Sequence, residues 1–269
     1  MIDQKTEQEI LDAVLSRKKY HRIAPDLIRS IIRAELDKGR KKKPALKAVL
    51  SKLHQIGSAY FSPSPSYQEW ENELNSLPKE LGDVAVKSFC KKILQTHSSS
   101  SERMPIMDRF FKEILSPLKP IDSILDLACG FNPLAIPWMP IHSKTKYAGC
   151  DIFQDMIGFL NTFYAHFEYN ATFYTFDLLN FEIPGPFQIA FILKSLPCLN
   201  QINKGVGTEF LDAIPAEWIV VSYPIGSLSG KKKGMRQHYT QQFQEIIEGR
   251  NWLVKEFLFP TELAFLIKK

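Results

Sequence analysis

Apolar residues recur at helical intervals through the first third of the chain and shift to short strand-like runs after residue 120. Ile10, Leu11, Val14 and Leu15 share one face of a segment over 4–16. Pro25-Asp26 opens a second helix carrying Leu27, Ile28, Ile31, Ile32 and Leu36. A third runs from about Pro44 to Gly57, with Leu46, Val49, Leu50 and Leu53 inward and Lys47 and Lys52 on the wet face. Phe61–Ser66, with two prolines, reads as a turn region. Helical spacing resumes over 66–75 and 79–96. The serine run before Glu102-Arg103 predicts a cap and a helix over about 101–115, with Arg103 in its first turn beside a carboxylate partner.

From Ile121 strands and helices alternate. Strands are expected at 122–127, 146–151, 172–176, 187–193 and 218–222, with helices near 133–139, 153–168, 205–213 and 235–248. Phe187–Leu193 is continuously apolar, as a central strand buried on both faces would be. Two last strands, 252–259 and 262–267, close the chain. Five strands joined through helices and then a strand pair predict an α/β fold, a Rossmann-like, seven-stranded sheet of the class I methyltransferase type. An α-helical N-terminal domain precedes it, with the join at about residue 100, giving domains of 1–100 and 101–269.

The stretch Ser123–Asp151 carries the first chemistry. A strand ends at Asp126, a turn of small residues follows at Ala128-Cys129-Gly130, and a second strand ends at Asp151, about 20 residues on. A dinucleotide turn needs several glycines where the pyrophosphate approaches; here Gly130 is followed by Phe131-Asn132-Pro133. An adenosyl ligand without phosphates fits better, and S-adenosylmethionine is the commonest. Gly130 would underlie its methionine part, Asp151 its ribose, Asp177 the adenine amino group, and Arg103 would clamp its carboxylate. Lys194-Ser195 and Ser222-Tyr223 fall at other strand ends, where ligands of such sheets lie.

Charge adds a second module. Residues 1–100 hold 18 Lys+Arg against 12 Asp+Glu, and Arg17–Lys52 alone holds 13 against 3. This basic third beside a near-neutral remainder suggests a polyanion partner. The loop Ser222–Met235, SYPIGSLSGKKKGM, is a second cationic element, placed after the fifth strand. Cys90, Cys129, Cys150 and Cys198 form no CxxC pair, which argues against a zinc site or disulfide framework and for a reduced, cytoplasmic setting. No 18-residue apolar run and no signal-peptide core are present, so no membrane association is expected.

The motifs HSSSSER, ILDLACGFNPLA, ILKSLP and SYPIGSLSGKKKGM, with RKKY, KLHQIGSAY and TELAFLIKK, resemble the aminoglycoside-resistance 16S rRNA methyltransferases that modify N7 of guanine 1405. The resemblance runs nearly end to end. It implies a helical rRNA-docking domain, a class I domain using S-adenosylmethionine, action on the assembled 30S subunit by a monomer, and resistance to 4,6-disubstituted 2-deoxystreptamines. By matching motifs, Arg103, Ala128, Gly130, Asp151, Ile152, Asp177 and Leu178 would line the cofactor site. Arg17, Lys18, Lys19, Arg22, Lys41, Lys42, Lys43, Lys47, Lys52, Lys231, Lys233 and Met235 would face RNA. Guanine N7 carries a lone pair at neutral pH, so no general base is required and catalysis rests on positioning; Lys194 is the one candidate for a more direct part. Two rivals are a methyltransferase of the same fold acting on a neighbouring decoding-site nucleotide, and a non-catalytic ribosome-binding protein.

Overall fold

The structure, a computed structural model, describes residues 3–55, 65–176, 178, 185–202, 206–225 and 234–269. Seven helices come first: α1 Gln4–Leu15, α2 Pro25–Leu36, α3 Lys42–Leu53, α4 Tyr67–Leu74, α5 Val84–Leu94, α6 Ser98–Arg103 and α7 Met107–Leu115. The α/β part follows as β1 Ser123–Leu127, β2 Lys146–Asp151, α8 Gln154–His166, β3 Ala171–Thr175, β4 Phe187–Leu193, α9 Leu196–Ile202, α10 Val206–Ala213, β5 Ala216–Pro224, α11 Met235–Ile247, β6 Leu253–Leu258 and β7 Glu262–Lys268.

The strands form one seven-stranded sheet in the order β3-β2-β1-β4-β5-β7-β6. The first five are parallel, and β7 runs antiparallel between β5 and β6. This is the expected class I arrangement. Strand order reverses between β1 and β4, which opens a crevice at their carboxyl ends. β4 explains its own composition: Ile189, Phe191 and Leu193 join the core on one face, and Ala190 and Ile192 the core on the other.

The helical third shares a core with the first of those faces. Asp3 caps α1 by accepting from Lys5 and Thr6 N–H, and Pro25 starts α2, where a missing N–H costs nothing. Their apolar faces meet around Ile10, Val14, Ile28 and Ile32. Trp70 in α4 sits edge-on to Phe131 and Phe159, with ring centroids 5.7 and 5.5 Å away, so α4 seats on α8 and on the turn after β1. The α1–α2 connector is hooked to the chain just after β2. Ala24 N–H donates to the Ile152 carbonyl at 2.8 Å, Gln154 N–H donates to the Arg22 carbonyl at 3.0 Å, and Arg22 pairs with Asp155 at 3.0 Å.

Three expectations shift. The helix expected over 101–115 is two helices joined by a 3-10 turn at Met104–Ile106, so Arg103 ends α6 instead of starting a helix. Its charge there favours the helix dipole. The 133–139 helix is a 3-10 segment, Asn132–Trp138, with Pro137 inside it opposing regular α-helical bonding. Helix α9 lies where no element was expected. The Phe61–Ser66 turn falls largely, and the 226–233 part of the cationic loop wholly, outside the described residues.

Candidate active site

The cleft at the sheet's carboxyl edge is built on two turns. After β1, Ala128 and Gly130 both take left-handed φ, 53° and 52°. A Cβ on Gly130 would lie 2.8 Å from Cε1 of His97, so glycine is required there on conformation and on space. After β2, Asp151 ties the two turns together: Oδ2 accepts from Gly130 N–H at 2.8 Å and Oδ1 from Ile152 N–H at 2.7 Å. Burial raises the Asp151 carboxyl above the usual carboxylate range, against the pull of backbone N–H groups from Gly130, Ile152 and Phe153. A carboxylate offers about four lone pairs, so with three N–H groups engaged about one remains for a ligand's hydroxyl.

A buried ionic cluster closes another side. Arg103, 3% exposed, donates to both oxygens of Glu262 and through Nη1 to Oδ1 of Asn132 at 3.0 Å. Lys194 Nζ donates to Glu102 at 2.8 Å and to the Ser99 carbonyl at 3.3 Å, and lies 3.5 Å from Glu262. Burial works to raise the Glu262 carboxyl, but Arg103 and Lys194 outweigh it and hold it below its ordinary range. His97 is driven down to about 3 by burial, with Arg103 and Lys194 adding to the effect, so it is neutral.

The cleft encloses about 860 Å³ of space between its walls and its open mouth. Arg103, Ala128, Gly130, Asp151, Ile152 and Leu178, drawn from β1, β2, α6 and the chain after β3, all border it, as does Lys194. Asp177 lies outside the described residues, as do Lys231 and Lys233. Of the expected RNA-facing residues, Arg17, Lys18, Lys19, Lys41, Lys42, Lys43 and Lys47 are exposed, while Arg22, Lys52 and Met235 are half-buried. Lys52 departs from the wet face expected for it: it pairs with the buried Glu35 at 3.0 Å, which Lys38 and Arg40 also approach.

Sequence reasoning missed Glu262, Asn132 and the α2 residue Leu27, which borders the cleft. Glu262 pairs across 159 residues, a separation no local pattern encodes.

The family profile of the FmrO ribosomal RNA methyltransferases matches residues 16–266. The chain belongs to that family. Among curated FmrO-type relatives, a 16S rRNA (guanine(1405)-N(7))-methyltransferase of Micromonospora echinospora is 32% identical over 97% of this chain and 96% of its own. One of the same name from Serratia marcescens is 31% identical over 97% and 98%. The solved 16S rRNA methyltransferase RmtF, in complex with S-adenosyl-L-homocysteine, superposes with a TM-score of 0.83 at 29% identity, covering both chains fully. The 16S rRNA methylase RmtB superposes at 0.80, with 26% identity and 98% of each chain covered. For an FmrO-family methyltransferase the donor set is apt: a carboxylate with a lone pair to spare, a glycine turn without room for a Cβ, an arginine, and apolar walls at Ile152, Met156 and Leu199. Among the described residues no helix is long and apolar enough to cross a membrane, and no cluster could hold a metal.

Proposed function

We propose that this chain methylates N7 of guanine 1405 in 16S rRNA within the assembled 30S subunit, with S-adenosylmethionine as donor. It thereby confers resistance to 4,6-disubstituted 2-deoxystreptamine aminoglycosides. The observation that carries the reading is the end-to-end match to relatives bearing that activity in their names, over a chain whose cleft residues fit the donor.

The cofactor supplies a methyl group on a sulfonium. Asp151 accepts from the ribose through its remaining lone pair, Gly130 lets the methionine part lie against the β1 turn, and Arg103 faces its carboxylate. Ile152 and Leu178 flank adenine, with Asp177 as acceptor for its amino group. Guanine N7 attacks with its own lone pair, so no side chain has to take a proton; the neutral His97 and the ion-paired Lys194 agree with a site that orients and excludes water. N7 of a base within a folded rRNA helix is reached by flipping the base into the cleft.

Residues 1–100 act as a docking domain whose exposed basic side chains contact phosphates, and residues 101–269 as the methyltransferase domain. Lys231, Lys233 and Met235 add further RNA contacts. The chain works as a monomer, in the cytoplasm where 30S subunits assemble. The test is expression in a drug-sensitive bacterium, with borohydride and aniline cleavage mapping of 16S rRNA. Kanamycin and gentamicin resistance with strand scission at 1405 is expected; modification at another decoding-site nucleotide, or none, overturns the reading.

A further inference from the structure

Among the described residues, five buried side-chain oxygens have neither a hydrogen-bond nor an ion-pair partner: Asp126 Oδ1, Tyr169 Oη, Ser195 Oγ, Tyr223 Oη and Thr261 Oγ1. Only Ser195 belongs to the cleft wall. It is 8% exposed and directly follows Lys194, a non-glycine residue with φ of 60°. Strained backbone of this kind persists where the surroundings enforce it, commonly at functional sites. Here the enforcing contacts are visible: Lys194 N–H donates to the Ser222 carbonyl at 3.0 Å, and its ammonium is anchored on Glu102 and Ser99.

Ser195 also sits just before α9, where a serine ordinarily accepts an N–H from the new helix. Pro197 has no N–H to give, the Cys198 and Leu199 N–H groups go to the Ser195 carbonyl at 3.0 and 3.1 Å, and Oγ stays without a partner. A buried hydroxyl left unpaired is costly unless a ligand completes it.

Strand order says which ligand. β4 lies on the far side of β1 from β2. With neighbouring strands about 4.8 Å apart, the end of β4 is about 10 Å from the end of β2, where Asp151 and Ile152 stand. The adenosine part occupies the β2 side. The β4 end borders β5, on the side of the sheet away from β2. Leu193 and Leu199 give the wall beside Ser195 an apolar surface on which a base plane can rest.

We propose that Ser195 Oγ donates a hydrogen bond to O6 of the target guanine, a substrate contact that aligns N7 with the methyl group. O6 and N7 are the two acceptors on one edge of guanine, so a base presenting N7 to the cleft floor turns O6 to the same wall. The contact moves no proton: the N7–C bond forms, the S–C bond breaks, and the guanine takes up the positive charge. The inference rests on the guanine-N7 reading.

The test is Ser195→Ala in the full chain, with S-adenosylhomocysteine affinity by calorimetry, melting temperature, and single-turnover methylation of 30S subunits at saturating cofactor. The expected result is a rate about tenfold lower, the effect of one neutral hydrogen bond, with analogue affinity and melting temperature within twofold and 2 °C of wild type. An unchanged rate overturns the proposal. Analogue affinity falling as far as the rate also overturns it, because the hydroxyl would then serve the cofactor. Wild type failing to methylate 30S subunits at guanine N7 is a different failure, that of the underlying reading.

Discussion

Arg103 and Glu262, 159 residues apart in sequence, form a buried ion pair at 2.6 Å that ties the end of α6 to the first residue of β7. Glu262→Ala strands a buried guanidinium and is expected to cost about 3–5 kcal/mol in denaturant unfolding. Replacing both partners, Arg103→Met with Glu262→Leu, restores most of that stability because no charge is left unpaired. The double variant still loses S-adenosylhomocysteine binding by calorimetry if Arg103 serves the ligand; retained affinity would make the pair purely structural.

Asp151→Ala removes the link between two turns and, in the proposed function, a ribose acceptor. S-adenosylhomocysteine affinity is expected to fall at least tenfold, the equivalent of about 1.4 kcal/mol. Association with 30S subunits in a sedimentation assay stays within threefold, because the basic helices are untouched.

Lys41, Lys42 and Lys43 surround the start of α3 and are exposed. Reversing all three to Glu is expected to weaken 30S binding by more than tenfold and to lower the slope of log affinity against log salt by about 2, as lost phosphate contacts require. Calorimetry with S-adenosylhomocysteine should be unchanged. Loss of cofactor binding in this variant would deny the two functions separate surfaces.

Asp126 gives a pH signature. Burial pushes its carboxyl up to about 7, against hydrogen bonds from Tyr147 at 2.6 Å and Asn132 at 2.8 Å. The folded chain therefore holds this proton more tightly than the unfolded one, whose carboxyl titrates near 3.8. The contribution is complete below about pH 4 and is lost as pH rises through about 7. Asp126→Asn keeps an acceptor for both donors and removes the titration. The melting temperature of wild type relative to this variant should fall between pH 4 and 7 and level off above; a constant difference would refute the assignment.

Periodicity carried most of the sheet, because strands buried on both faces such as β4 leave continuous apolar runs, and the closing pair fell where alternation ended. Helix α9 was hard to read: its seven residues repeat an apolar position only at Leu196, Leu199 and Ile202, too short a run to separate from a loop. Arg103 was placed beside a carboxylate correctly but in the wrong turn, since four consecutive serines offer several caps and His97 precedes the helix observed. In the cleft, strand-end residues such as Gly130 and Asp151 were readable because a βαβ unit fixes where its turns go. Glu262 and Leu27 were not, because they arrive through tertiary packing of elements remote in sequence.

The hook between Arg22–Ala24 and Ile152–Gln154 places Leu27 of α2 in the cofactor wall. The helical third and the cleft are thus mortised together, and a chimera that exchanges residues 1–100 between two family members also transplants part of the ligand's housing. Substitutions on those helices will therefore be felt in the cleft as well, so the two parts of the chain are bound to change in step.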